Sequence, residues 1–401
     1  MGPKDCRNLG TASWRALTVL NNPPESSQGD ISLLDPRVEV VIACHSDARP
    51  LDRAVASVLE GNGALADVTV IAHGIDPDRL AATLRPEHRE RTRMLRFDDG
   101  IPSPSGPFTY GIAQARHPWV SIMGSDDFLM PGTVDSWLQI AARTGADVVV
   151  TRLSRGTPSR VVPTPPARVR RRDCIADFRK DRLVYRSAPL GLIRKSLIEE
   201  LELTFNPGFA VGEDVIFTTR LFAEARVAID RWGPSYVIGE DASDRVTYVI
   251  RPMADQLAFV RPTCESEWFN ALPPSVRREI AVKFLRIHVF GAVHYRPETH
   301  HWLDGDRSEL STLTRLLLDS APRTLNVLSR AEAALIKGCL EPALPASELA
   351  RLSRSRRAHG KPSTLITSDP LYALHRIAPL RFMAASAFVS MSSRVHPPRS
   401  R

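Results

Sequence analysis

Five short apolar runs, each followed by a stretch with helical spacing or a turn, occupy residues 38–151 and constrain the fold more than any other feature of the chain. They are Val38–Cys44, Val68–Ala72, Met94–Phe97, Trp119–Met123 and Asp147–Thr151. Short apolar runs rich in β-branched residues read as buried strands. Between them, Leu51, Val55, Val58 and Leu59 share one helical face, and Pro77–Leu84 reads as a helix with Asp76 as its N-cap. Pro107–Arg116 and a segment from Pro131-Gly132 to about Arg143 read as two more helices. Strands alternating with helices imply an α/β fold, a mostly parallel sheet covered on both faces. In such sheets a ligand lies beyond the C-terminal strand ends. Ala43–Asp47, Ala72–Ile75 and Gly124–Asp127 fall at such ends.

Two acidic pairs stand out against this frame. Asp126-Asp127 ends the apolar run from Trp119, and Glu213-Asp214 follows a glycine in Val211-Gly212-Glu213-Asp214-Val215. One pair suits a divalent cation, since hard cations take carboxylates together with phosphate oxygens. The other suits a base. Together they point to transfer of a group away from a metal-bound diphosphate. The competing reading of each pair is a helix start: Pro131 opens a helix soon after the first, and acids beside an N-terminus are favoured by the helix dipole.

With 401 residues the chain can hold two domains. Residues 1–36 read as a flexible, polar, proline-containing leader. Residues 37–250 carry the α/β pattern, and from 251 to 401 strand patterns give way to helical periodicity, as in Ile280, Phe284, Ile287, His288 and Gly291. Leu371–Met391 reads as one basic, partly amphipathic helix, either docked on the body or lying on a membrane surface. Arg152–Pro166 reads as a loop. The net charge of +8 suits anionic lipid or a phosphorylated substrate. The basic clusters Arg168–Arg172 and Arg351–Lys361 lack interleaved aromatics, which argues against nucleic acid as a partner. Five scattered cysteines without C-x-x-C spacing argue against a zinc site or disulfide framework and for a reducing, cytoplasmic setting. His288, His294, His300 and His301 are not spaced to share one helix face as metal ligands.

The residues from about Arg37 to Ile250 resemble family 2 glycosyltransferases. The resemblance rests on Val40–Asp47 with its following helix, on Thr109-Tyr110-Gly111 in place of an Asn-x-Gly motif, on Asp126-Asp127-Phe128 with Pro131 downstream, and on Gly212-Glu213-Asp214. It implies a GT-A nucleotide-sugar-binding, Rossmann-like mixed sheet flanked by helices, followed here by an α-helical C-terminal domain. Two departures stand out. Where the family's second strand ends in Asp-Asp-Gly-Ser, this chain has Ala72-His73-Gly74-Ile75, and Gly124 replaces the first acid of the metal motif. No Gln-x-x-Arg-Trp motif of processive synthases is present.

The resemblance implies an inverting transferase acting on a nucleoside diphosphate sugar. Asp126 and Asp127 are the expected ligands of Mg²⁺ or Mn²⁺. Asp214 is the expected base and Glu213 the group that orients the acceptor. Ala43, His45, His73, Gly111, Asp126 and Arg245 are the expected contacts to the donor. A glycan, lipid-linked or polymer acceptor is expected, in cell-surface glycan assembly, with contact to the inner face of the cell membrane. Two alternatives stand beside it: a nucleotidyltransferase, although His45–Pro50 lacks the Gly-rich basic loop such enzymes use, and a GT-A-like module that binds without catalysis.

Overall fold

Val38–Cys44 forms β1, Leu51–Leu59 α1, Ala66–His73 β2, Pro77–Ala81 α2, Pro86–Arg89 α3, Thr92–Phe97 β3, Ser105–Gln114 α4 and Trp119–Gly124 β4. These elements come from a computed structural model, which describes residues 38–157, 159–162, 175–206, 208–209, 211–240 and 250–395. The leader, Cys6, Cys174, Arg168–Arg172, Arg245 and all but Ile250 of the Val246–Ile250 run lie outside the described residues. The described ones belong to one unit, Pro36–Arg401.

The chain continues through β5 (Phe128–Leu129), α5 (Thr133–Thr144), β6 (Val148–Val150), β7 (Leu153–Arg155) and β8 (Arg160–Val162). Then come β9 (Gly191–Arg194), α6 (Lys195–Glu200), α7 (Val215–Glu224), β10 (Val227–Ile229) and β11 (Tyr236–Ile238). Among the described residues seven strands build one sheet in the order β10-β6-β9-β4-β1-β2-β3. β1 lies inside it, between β2 and β4 and parallel to both. Val40, Val41 and Ile42 have no exposed surface. Burying side chains of this size stabilises a fold by about 1.5–3 kcal/mol each, which fixes β1 and with it the position of its C-terminal end. β9 runs antiparallel between β4 and β6, making the sheet mixed. A second sheet, β5-β11-β7-β8, places Tyr236 opposite Leu129, next to the acidic pair.

The expectation of a loop over Arg152–Pro166 is corrected in part. β7 and β8 pair antiparallel there, and β7 pairs with β11. Leu153, only 7% exposed, gives the segment an apolar anchor among its arginines and serines.

Beyond residue 250 the described elements are helical. They are α8 (Met253–Gln256), α9 (Val260–Glu265), α10 (Glu267–Ala271), α11 (Pro274–Lys283), a π-helical turn (Phe284–Val289) and α12 (Phe290–His294). α13 (Asp306–Ser320), α14 (Arg330–Cys339), α15 (Ala346–Arg357), α16 (Pro362–Leu365) and α17 (Pro379–Val395) complete them. Their shared core includes Phe259, Phe284 and Phe290 and reaches Val184 and Val215 of the α/β part. Two periodicity readings fail here. Ile287, placed on the apolar face, is 47% exposed, because the π turn shifts the phase of the helix. The single helix over Leu371–Met391 is instead a short 3-10 turn at Pro370–Tyr372 and then α17, which starts at Pro379, where a proline is tolerated.

Candidate active site

A cleft of about 810 Å³ opens at the C-terminal ends of β1, β2 and β4. It gathers Ala43, His45, His73, Asp126, Asp127, Glu213 and Asp214 on its walls. Of the residues singled out in the sequence, Gly111 alone among the described ones does not reach it. Gly111 is buried on α4, and a Cβ there would run into the side chains of Val41 and Ile71. Its lack of a side chain lets α4 lie directly on β1 and β2, so the donor contact expected of it is corrected to a packing role.

Asp127 is held on both oxygens. The Tyr236 hydroxyl donates to Oδ2 at 2.5 Å and the Gly239 N–H donates to Oδ1 at 2.9 Å. Burial pushes its carboxyl above the usual range, the two hydrogen bonds oppose this, and the Asp126 charge adds to it. Asp126 faces Arg49, whose Nη1 lies 3.2 Å from Oδ1, and its carbonyl accepts from Arg53 Nη2 at 2.5 Å. Neither carboxylate caps α5, whose N-cap is Gly132 with no side-chain hydrogen bond.

This pair fits a hard divalent cation. The two carboxylates are adjacent and open to the cleft, and a carboxylate has about four acceptor directions, of which Asp127 uses two. Among the described residues no group of three or more Asp, Glu, His or Cys forms a closed protein cage. A site of one or two carboxylates finished by phosphate and water is the usual habit of Mg²⁺. Tyr236 orients the pair from behind, and partners of this kind tune affinity about 10–100-fold. Tyr236→Phe is therefore expected to weaken Mn²⁺ binding on the order of 10-fold, in a calorimetric titration with a nucleoside diphosphate present. An unchanged affinity would mean that Tyr236 does not orient the site.

The second acidic pair sits on a turn that requires glycine. Gly212 has φ +78°, and a Cβ there would lie 2.6 Å from the Phe259 ring. Asp214 occupies the N-cap position of α7, yet its side chain makes no capping hydrogen bond. Burial pushes the Asp214 carboxyl up to about 7, the neighbouring Glu213 charge adds to the rise, and Lys283 opposes it. Burial raises Glu213 as well, against the pull of Arg251. A half-buried carboxylate on the cleft wall, free of capping duty and poised near neutrality, is matched to proton transfer.

At the far end of the cleft, His73 Nε2 lies 2.9 Å from Asp99 Oδ1. Burial raises Asp99, but hydrogen bonds from His73 and the Ile101 N–H outweigh it and leave the carboxyl lowered. An acid thus stands beside the β2 end although β2 itself has lost both. Cys44 also lines the cleft, and burial pushes its thiol up, away from nucleophilic duty. Tyr236, Arg49, Asp99 and Lys283 were not legible as site residues. Only Asp98-Asp99-Gly100, an acidic turn after a strand, carried a local signal.

The family model for glycosyl transferase family 2 matches residues 39–202. The succinoglycan biosynthesis protein ExoO of Rhizobium meliloti (strain 1021) is 24% identical over 222 residues, covering 53% of this chain and 63% of ExoO. The chain thus spans less than two thirds of that relative's length. Among solved structures, S. aureus TarS 1-349 in complex with UDP-GlcNAc superposes with a TM-score of 0.65 at 13% identity, covering 80% of this chain and 91% of that one. A further S. aureus TarS structure gives 0.61 at 13% identity, covering 80% of this chain and 55% of that one. At such identity the likeness speaks to the fold. Family match and fold agree: residues 39–202 match the glycosyl transferase family 2 model, and the sheet they build has the fold of TarS.

Proposed function

We propose that the chain is a metal-dependent, inverting glycosyltransferase that moves a sugar from a nucleoside diphosphate sugar to an acceptor hydroxyl. The observation that carries this reading is the meeting, in one cleft, of the Asp126-Asp127 pair and a half-buried Asp214, free of capping duty, from a distant part of the chain. The TarS complex with UDP-GlcNAc and the name of ExoO support a nucleotide-sugar donor and a growing cell-surface glycan as acceptor.

Asp126 and Asp127 would hold Mg²⁺ or Mn²⁺, which offsets charge on the leaving diphosphate. Ala43, His45 and His73 flank the nucleoside. Asp214 accepts the proton of the acceptor hydroxyl. That oxygen bonds to the anomeric carbon from the face opposite the diphosphate as the bond to diphosphate breaks, which inverts the configuration. Glu213 orients the acceptor. Residues up to 250 provide the donor site, and the helical part from 251 supports the acceptor side. The test is calorimetry of nucleoside diphosphate sugars with and without Mn²⁺. Metal-dependent binding of one donor is expected, and metal-independent binding of every donor would contradict the reading.

The same reading includes contact with an anionic membrane surface. No described helix is long and apolar enough to cross a membrane. Leu371, Leu374, Phe388 and Met391 are 92%, 75%, 53% and 59% exposed. Residues 370–401 contain five arginines and no acidic residue. Apolar burial with basic attraction is the habit of interfacial segments. Co-sedimentation with vesicles containing phosphatidylglycerol is expected to fall about 10-fold in the Leu371→Asp, Leu374→Asp double variant. Equal binding by both proteins would remove this surface.

A further inference from the structure

The helical part contributes a cation to the base. Lys283, the last residue of α11, is 1% exposed, and its Nζ lies 2.9 Å from His288 Nε2. Its ammonium also lies 5.1 Å from the centre of the Phe284 ring. Residues five apart on an α-helix diverge by about 140°. The π turn over Phe284–Val289 spaces its bonds i to i+5, and so brings Lys283 and His288 to one side. A π turn inside a helix often marks a functional position.

The His288 ring is fixed in its turn. It packs edge-on against Phe259, with ring centres 4.6 Å apart, and against Phe284 at 5.8 Å. Burial and the Lys283 charge hold His288 well below its ordinary range, so the imidazole is neutral and its Nε2 accepts from Nζ. Phe259 is the same ring that closes on Gly212. One buried group of side chains therefore buttresses the Gly212 turn and includes Lys283, which burial lowers to about 8 against the pull of the Asp214 charge. Glu213 and Lys283 are the charges acting on Asp214. Arg251 acts on Glu213. A lysine in so dry a place is expensive to keep charged unless it serves a carboxylate.

We propose that Lys283 is a positioning residue for sugar transfer: anchored by His288 in the cluster that backs the Gly212 turn, its ammonium sets the charge environment of Asp214. The proposal rests on Asp214 being the base. It gives the helical part a direct role in the chemistry and explains why the two parts share a core at Val215.

The test is the pH profile of kcat/KM for wild type, Lys283→Met, Lys283→Arg and Asp214→Asn, with donor affinity measured alongside. Lys283 favours the ionised form of Asp214, so its loss moves the acid limb to higher pH. A shift of about one pH unit is expected in Lys283→Met, seen as roughly 10-fold lower activity on the acid side. Donor affinity is unchanged, and Lys283→Arg moves the limb back. If Lys283→Met does not fold, His288→Phe, which removes the acceptor of Nζ, is read the same way. A folded variant whose activity falls equally at every pH, or whose limb does not move, overturns the proposal. If Asp214→Asn keeps its activity, it is the base assignment that fails; a dead Asp214→Asn beside an unmoved limb sinks the Lys283 role alone.

Discussion

Replacing Asp214 by Asn is expected to stop sugar transfer while leaving the donor bound. General-base catalysis contributes about 10²–10⁴-fold, and the amide keeps the size of the side chain while losing its ability to take a proton. Wild-type activity should rise with pH through about 7 as Asp214 ionises. The same substitution has a second, opposite signature. Because burial raises Asp214 in the folded protein, the folded state holds its proton more tightly than the unfolded state. Between the ordinary range near pH 4 and about 7, wild-type stability therefore falls as pH rises. Asp214→Asn removes that loss, so at pH 8 the variant should melt on the order of a few degrees higher than wild type, and below about pH 4 the difference should vanish. A dead enzyme that is more stable at alkaline pH is what a residue kept for chemistry produces. A dead enzyme less stable at pH 8 would mark Asp214 as a structural carboxylate.

Asp127→Asn should lower turnover about 10²–10³-fold and make what remains indifferent to Mg²⁺ or Mn²⁺, since a metal ligand's contribution amounts to several kcal/mol of charge stabilisation. Asn keeps an oxygen to accept from the Gly239 N–H, but its NH2 cannot accept from the Tyr236 hydroxyl, which donates to Asp127 Oδ2 in the native protein. Asn therefore strands one donor, whereas Ala would strand both. Removing metal from the wild type with a chelator should give the same rate as the variant. Activity that follows the metal equally in both proteins would take Asp127 out of the metal site.

Much of this was legible from local pattern. β1 and α1 match their expected bounds, β1 because a near-continuous apolar run is buried on both faces of the sheet and α1 because its apolar positions repeat at the helical period. Asp76 caps α2 through its own side chain, although the helix stops at Ala81 rather than Leu84. Both acidic pairs reach the cleft because strand ends and a glycine turn are local signals. What escaped was set by distance in the chain. β9 is four residues long and owes its place to β4 and β6 on either side. Tyr236 looks like any strand tyrosine until β11 pairs with β5. Lys283 sits in a helix that periodicity alone reads as regular, and only the π turn reveals why Ile287 faces water and His288 faces Lys283. Gly111 shows the opposite error. A motif position was read as a ligand contact where α4 needed close approach to the sheet.

The most direct test of the central claim is release of nucleoside diphosphate from a panel of nucleoside diphosphate sugars by the wild-type protein, with Mn²⁺ and after chelation, beside Asp214→Asn and Asp127→Asn. The account predicts release from one donor that needs the metal and is lost in both variants. Release that persists in both variants, or after chelation, would contradict it.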